Sequence, residues 1–295
     1  MLDRASIFSN PDVVKLLQTK FVPVAIDQAY QRRQKDAEGR FYQKIANQGP
    51  RKVGGGTTQG HYVAAPDGTL LGFGNHRATE RFMGLLRGAL NRYRGDEVAA
   101  IDPGRPDSRW SPKPPAGGLI VRVHSKVLSG YEPTDDPWRR MFQNGIGRDN
   151  LWIRTEEHRA LIRGEIPQKL LARIAMFHLV DNTRGEPPMW EPQEIVSSDA
   201  TLRDGRLSGT VHLRSRSGDR EFKADIFGMV ETKDGRISRL DLVARGQFRG
   251  EGQFTQRAPK GEFPLAIAFR LADGTDVADS IPPQASRGWL DGYIR

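Results

Sequence analysis

The stretch Phe177-His178-Leu179-Val180-Asp181-Asn182-Thr183-Arg184-Gly185-Glu186-Pro187-Pro188-Met189-Trp190 gathers an imidazole, two carboxylates, a guanidinium and an indole. Such groups can move protons (His178 or Glu186), pair with an anion (Arg184) and stack on a ring (Trp190). His178, Asp181, Arg184, Glu186 and Trp190 are therefore the candidate ligand-binding residues of an enzyme or small-ligand binder. The same residues have a structural reading. Asp181, Asn182 and Thr183 would cap a helix end and its turn, Arg184 would pair with Glu186, and Trp190 would be core. Convergence of the five side chains in one pocket is what separates the two.

Other groups are weaker candidates. Glu156, Glu157 and His158 are adjacent, so on a helix they face different ways, and a charged helix start accounts for them. Asp135-Asp136 stands before Pro137 and Trp138 and reads as a turn rather than a carboxylate pair. Gly54-Gly55-Gly56-Thr57-Thr58 lacks the Lys-Ser/Thr end of a phosphate loop, and a strand rather than a helix follows it. Arg245 to Gly252 reads as a bulged strand end. No residue stands out as catalytic.

Composition removes whole chemistries. The 295 residues include no cysteine, so thiolate catalysis, disulfides and cysteine-bound metal are excluded. No two of the six histidines sit at i, i+4 spacing, which leaves no HExxH-type zinc site. No metal or cofactor is expected. The net charge is +9, of which residues 1–100 carry +6, concentrated in Gln31-Arg-Arg-Gln-Lys35 and Arg51-Lys52. Without interleaved aromatic residues this reads as a solvated basic face, not a nucleic-acid platform. No apolar run approaches the roughly 20 residues of a membrane span. The first residues lack a basic and then apolar leader, which predicts a cytoplasmic chain, or an exported one if a signal peptide has been removed.

The elements that must position these groups follow from periodicity. Asn10 as cap and Pro11 at the first position open a helix to Lys20. Phe21-Val-Pro-Val-Ala-Ile26 predicts a strand, at an edge because of Pro23. Asp27 to Asn47 predicts one long polar helix. His61–Ala65 and Thr69–Phe73 predict a hairpin about Pro66-Asp-Gly68. Arg77 to Tyr93 is amphipathic with helical spacing. Residues 94–118, rich in Pro and Gly, predict a linker. Leu119–Val123 and Leu151–Ile153 predict strands. Thr155 caps a short helix with His158 at its third position, and Pro167 opens another that ends near His178. From residue 196 the period becomes two, with Asp204-Gly205, Ser217-Gly-Asp219 and Asp234-Gly235 as turns. That predicts an antiparallel meander with one buried face, on which the helix ending at His178 packs.

Three segments in order carry a resemblance: Phe8-Ser-Asn-Pro-Asp-Val-Val14, Phe21-Val-Pro-Val-Ala-Ile-Asp27 and Tyr62-Val-Ala-Ala-Pro-Asp-Gly68. Together residues 8–93 resemble a thioredoxin-like domain, over less than a third of the chain. The family's Cys-x-x-Cys and first strand would align before residue 1, and Gln59 stands where the family has a cis-proline. Leu119–Val123 is one candidate to fill the missing strand's place. The resemblance implies a fold without its redox role, and an extended-peptide face at Gln59 and Thr58. Residues 119–295 resemble no family; a helix before a curved antiparallel sheet is shared by cystatin-like and lipocalin-like domains.

The expected architecture is α+β. An incomplete thioredoxin-like α/β domain (1–95) and a Pro/Gly-rich linker (96–118) precede a larger domain (119–295) with an antiparallel β-meander and packed helices. The expected function is a non-catalytic binding or scaffold protein with a protein or peptide partner. The alternative is an enzyme or small-ligand binder around His178 to Trp190. Nucleic-acid binding by the basic helix is a third, weaker expectation.

Overall fold

The computed structural model describes every residue except 1, 4, 96, 97, 99, 101, 288–292, 294 and 295. It contains helices and antiparallel sheets, an α+β chain. Two compact units are present: residues 6–112, and residues 113–295 with the short stretch before residue 6.

In the first unit, α1 (Pro11–Lys20) begins where Asn10 accepts hydrogen bonds from the N–H groups of Asp12 and Val13. The long helix expected from Asp27 to Asn47 is broken into α2 (Gln28–Gln31) and α3 (Ala37–Gln48). Asp36 causes the break, because its side chain caps α3 by accepting from Gly39 N–H. The intervening residues find partners elsewhere: Gln34 donates to the Trp110 carbonyl and Lys35 N–H to Asp107. Strands β1 (His61–Ala64) and β2 (Leu70–Gly74) pair antiparallel, and α4 (Thr79–Arg92) follows. Ile7, Val13, Val63, Phe82, Met83 and Leu86 form the core.

Phe21–Ile26, expected as a strand, lies in no helix and in neither sheet. Its residues suit a strand, but propensity cannot supply a neighbour to pair with. The expected linker is also not free throughout. Trp110 lies against Tyr30 and under the guanidinium of Arg33, and Asp107 N–H donates to Asp36. Positions 96, 97, 99 and 101 of that stretch lie outside the described residues.

The second unit is built on a seven-stranded antiparallel sheet. Its strands are β3 (Leu119–Val127), β4 (Asp149–Ile153), β5 (Ile195–Arg203), β6 (Arg206–Arg214), β7 (Glu221–Lys233), β8 (Arg236–Arg249) and β9 (Glu262–Leu271). Their order is β4-β3-β9-β8-β7-β6-β5. Leu119–Val123 is therefore part of this sheet, between β4 and β9, and does not stand in for a strand of the first unit. Asp204-Gly205 and Asp234-Gly235 adopt positive φ at both positions, as a two-residue hairpin turn requires. From Leu240 to Arg249 β8 keeps unbroken register with β7, so the bulge expected at Arg245–Gly252 is absent from the paired residues; the register shift of this pair falls at Glu231/Thr232 instead.

Among the described residues, three α-helices of eight residues or more belong to this unit. α5 (Pro137–Asn144) is capped by Asp136, which accepts from Trp138 N–H. α6 (Thr155–Ile162) starts one residue earlier than expected. Arg154, not Thr155, is its cap, and Glu157, not His158, is the third residue, whose carboxylate accepts from Arg154 N–H. α7 (Gln168–Phe177) lays Leu170, Leu171 and Ile174 against sheet residues such as Leu207, Ile226 and Leu240. Trp152, Trp190, Phe222 and Phe263 are among the largest side chains fully inside this core.

Candidate functional site

The end of α7 turns into the core, so the residues after it are buried rather than presented at a surface. His178, Asp181, Asn182, Thr183 and Arg184 are all inside the protein. Asp181 accepts from Thr183 N–H (3.1 Å) and the Thr183 hydroxyl (2.6 Å), a local turn of the kind expected. Arg184 does not pair with Glu186. It donates to Asp181 at 2.5 Å, to the Thr255 carbonyl at 3.0 Å and to the Tyr131 hydroxyl at 2.9 Å. Burial outweighs sequence proximity here, because a guanidinium taken out of water needs charge and hydrogen bonds together. Glu186 is exposed and sits 3.5 Å from Arg287. Trp190 is core, donating through Nε1 to the Leu179 carbonyl, with the Arg220 guanidinium 3.8 Å from its ring centre.

The five candidate residues thus do not converge. Arg184 and Asp181 face the Thr255 segment, Glu186 faces solvent, and Trp190 packs by Phe248. His178 takes a separate direction. Its Nε2 lies 2.6 Å from the Tyr293 hydroxyl, and its Nδ1 lies 3.3 Å from Asp149 Oδ2. The second contact is close enough for electrostatic attraction but poorly angled for a hydrogen bond. Asp149 is held in turn by the N–H groups of Asn150 and Gln284, each at 2.9 Å.

A carboxylate, an imidazole and a hydroxyl in series can activate the hydroxyl as a nucleophile. In this protein the series is closed. Tyr293 is fully buried, and burial holds its hydroxyl far above the ordinary phenol range. Its carbonyl accepts from Arg173 (2.9 Å) and Arg154 (3.1 Å), and the Arg173 guanidinium lies 4.9 Å from the centre of its ring. Arg173 also pairs with buried Glu157 at 2.5 Å. The arrangement anchors the chain near its C-terminal end. Asp149 and Tyr293 were not candidates from sequence, where a polar start to a strand and a lone tyrosine are weak signals.

The weaker candidates resolve as structural groups. Glu157 belongs to that ion pair, Glu156 is exposed, and His158 Nδ1 lies 2.9 Å from the Gly117 carbonyl. Asp136 caps α5, and Asp135 pairs with Arg140. Among the described residues no cluster of three or more His, Asp or Glu could hold a metal ion. No helix of the described residues is long and apolar enough to cross a membrane.

The expected peptide face divides. Thr58 is buried; its hydroxyl contacts the Tyr42 hydroxyl at 2.6 Å and Gln28 at 3.0 Å. Gln59 is exposed, and its carbonyl accepts from Arg51. Two residues on, His61 opens β1 and stands against the rings of Phe8 and Phe82 at 5.8 and 4.9 Å. It forms one wall of an open hollow of about 380 Å³, with an apolar floor of Phe73, Phe82 and Leu85. His76 and Arg81 stand at its rim, and no carboxylate lines it. Neither His76 nor Arg81 has a hydrogen-bonding or ion-pair partner among the described residues.

No family model matches the chain, and no match is found among curated proteins or solved structures.

Proposed function

We propose that this chain is a non-catalytic binding or scaffold protein whose residues 8–93 are a redox-inactive thioredoxin-like domain. The absence of cysteine leaves that segment no dithiol chemistry. The observation that carries the reading is the hollow lined by His61, two residues after Gln59. An apolar floor with Arg81 and His76 at its rim suits an extended peptide that brings an apolar side chain and a carboxylate together. Thr58 takes no part, because its side chain is committed to Tyr42 and Gln28. The alternative, an enzyme or small-ligand site around His178 to Trp190, has less support. Asp181 and Arg184 are committed to each other and to buried neighbours, Glu186 faces solvent apart from them, and the His178 series has no opening to solvent.

Calorimetric titration with a tripeptide ending in phenylalanine, as the free acid and as the amide, tests the reading. The acid is expected to bind at least about ten-fold tighter, since each 1.4 kcal/mol is a factor of ten. Arg81→Glu should abolish the difference, and the peptide should be recovered unchanged. Equal or undetectable binding of both forms, or chemical conversion of the peptide, overturns it.

A further inference from the structure

The hollow of the first unit is lined by two imidazoles and one guanidinium, and by no carboxylate. The β1–β2 register brings the imidazoles together. His61 stands opposite Gly74 across the hairpin, and His76 follows Gly74 by two residues. Gly74 puts no side chain between them. A Cβ there would meet Leu85 Cδ2 at 3.1 Å and His76 Cδ2 at 3.9 Å, so the His76 ring folds back toward the apolar floor. His61 is half-buried in the wall, whereas His76 and Arg81 are exposed at the rim.

The charged groups about His76 are mostly cationic. Arg81 comes from α4 and His61 from β1, while β2 contributes only Phe73 and Gly74 to the lining. The amide oxygen of Asn75, the residue before His76, accepts from Arg51 at 2.8 Å. Arg77 and Glu80 follow His76 in sequence, and neither lines the hollow.

We propose that the hollow takes up its anionic ligand together with a proton, which His76 holds, so that capture strengthens in mild acid and weakens above neutral pH. The inference rests on the peptide reading of this hollow and adds its regulation. A neutral imidazole brings one N–H and no charge, whereas an imidazolium brings two N–H groups and a positive charge. A carboxylate seated by Arg81 attracts that charge. By linkage, a ligand that favours the protonated ring is itself held more tightly once the ring is protonated. Arg81 stays charged throughout, so it holds the ligand's anion at any pH and His76 sets how firmly. Histidine is the side chain suited to such a switch, because its ordinary pKa of about 6.5 lies within the physiological range.

Calorimetric titration with an N-acetylated tripeptide ending in phenylalanine, as acid and as amide, tests the proposal. Acetylation leaves the carboxylate as the peptide's sole titrating group, and with an ordinary pKa of about 3.5 it stays ionised from about pH 5.5 to about pH 8. At low ionic strength, where exposed charges are least screened, the natural chain should bind the acid about five-fold tighter at the lower pH. The amide should show no such gain. Buffers of different ionisation enthalpy, compared at about pH 6.5, should report net proton uptake on binding of the acid. His76→Gln keeps a hydrogen-bond donor and cannot titrate, so its ratio of affinities at the two pH values should fall below about two. The ratio is read within each variant, so a change in overall affinity does not disturb it. Binding of the acid with one affinity at every pH and no proton uptake overturns the proposal and leaves the peptide reading standing. So does a pH gain that survives in His76→Gln. Failure of the acid to bind at any pH overturns both.

Discussion

The hydroxyl of Tyr293 lies 2.6 Å from Nε2 of His178, and neither side chain reaches solvent. One residue follows the last turn of α7, and the other comes almost at the end of the chain. Their contact ties residue 293 to the end of α7 inside the core of the second unit.

Tyr293→Phe removes one partner and leaves the imidazole nitrogen buried without another. The expected cost is about 1–3 kcal/mol of stability, read from urea unfolding. The alkaline limb should change as well. Burial raises the Tyr293 pKa in the folded state, so the folded chain holds its proton where the unfolded chain, near pH 10, gives it up. The natural protein should therefore lose stability as pH rises above 10, and Tyr293→Phe should lose less. An unchanged alkaline limb would mean that the phenol is not buried.

Arg184→Met tests the pair with Asp181. The substitution strands a buried carboxylate, and breaking such pairs costs roughly 3–5 kcal/mol. Replacing both residues by apolar ones should recover much of that loss. If the single change costs under about 1 kcal/mol, the pair is more solvated than its burial indicates.

Much of this pattern was legible in advance. Asn10 and Pro11 announced α1, and the Asp-Gly pairs at 204–205 and 234–235 announced turns that the backbone adopts. Leu207, Val211, Phe222, Ile226, Leu240 and Leu265 all lie inside, as their alternation required. Local signals failed where a distant residue decides the outcome. Nothing near residue 34 shows that Trp110 will take a hydrogen bond from Gln34 and help divide a helix. Nothing near His178 points to Asp149 or Tyr293. Phe21–Ile26 has the composition of a strand, but a strand is a relation between two segments.

Acid should act beside the turn of the β6–β7 hairpin, where β7 begins at Glu221. The hydrogen bond from His212, with a second from Lys223, holds the Glu221 carboxyl down at about 2. A depressed carboxyl stabilises the fold at pH values above its unfolded pKa of about 4.5, and that contribution is lost as pH falls toward 2. Glu221→Gln should flatten the acid limb of the stability curve over this range while changing the alkaline limb little. An acid limb identical to the natural one would show that the contact contributes nothing.

Two glycines should respond in opposite ways. A Cβ at Gly246 would fall on the Lys223 carbonyl and the Ala224 backbone across the β7–β8 pair, so Gly246→Ala should cost at least about 1–3 kcal/mol. Gly84 sits in α4 with open space around it, and Gly84→Ala should add roughly 0.5–1 kcal/mol by lowering unfolded-chain entropy. Thermal melts of the two variants distinguish packing from backbone freedom.

The position of β3 bears on how the protein is made. Val127 pairs with Leu265, so the strand at the front of the second unit finds its main neighbour only when the last strand has left the ribosome. Until then a nascent chain carries β3 and β4 as a lone two-stranded piece, with the edge of β3 that meets β9 unpaired. Translation halted before residue 262 would leave a polypeptide suited to chaperone capture, whatever its eventual binding partner.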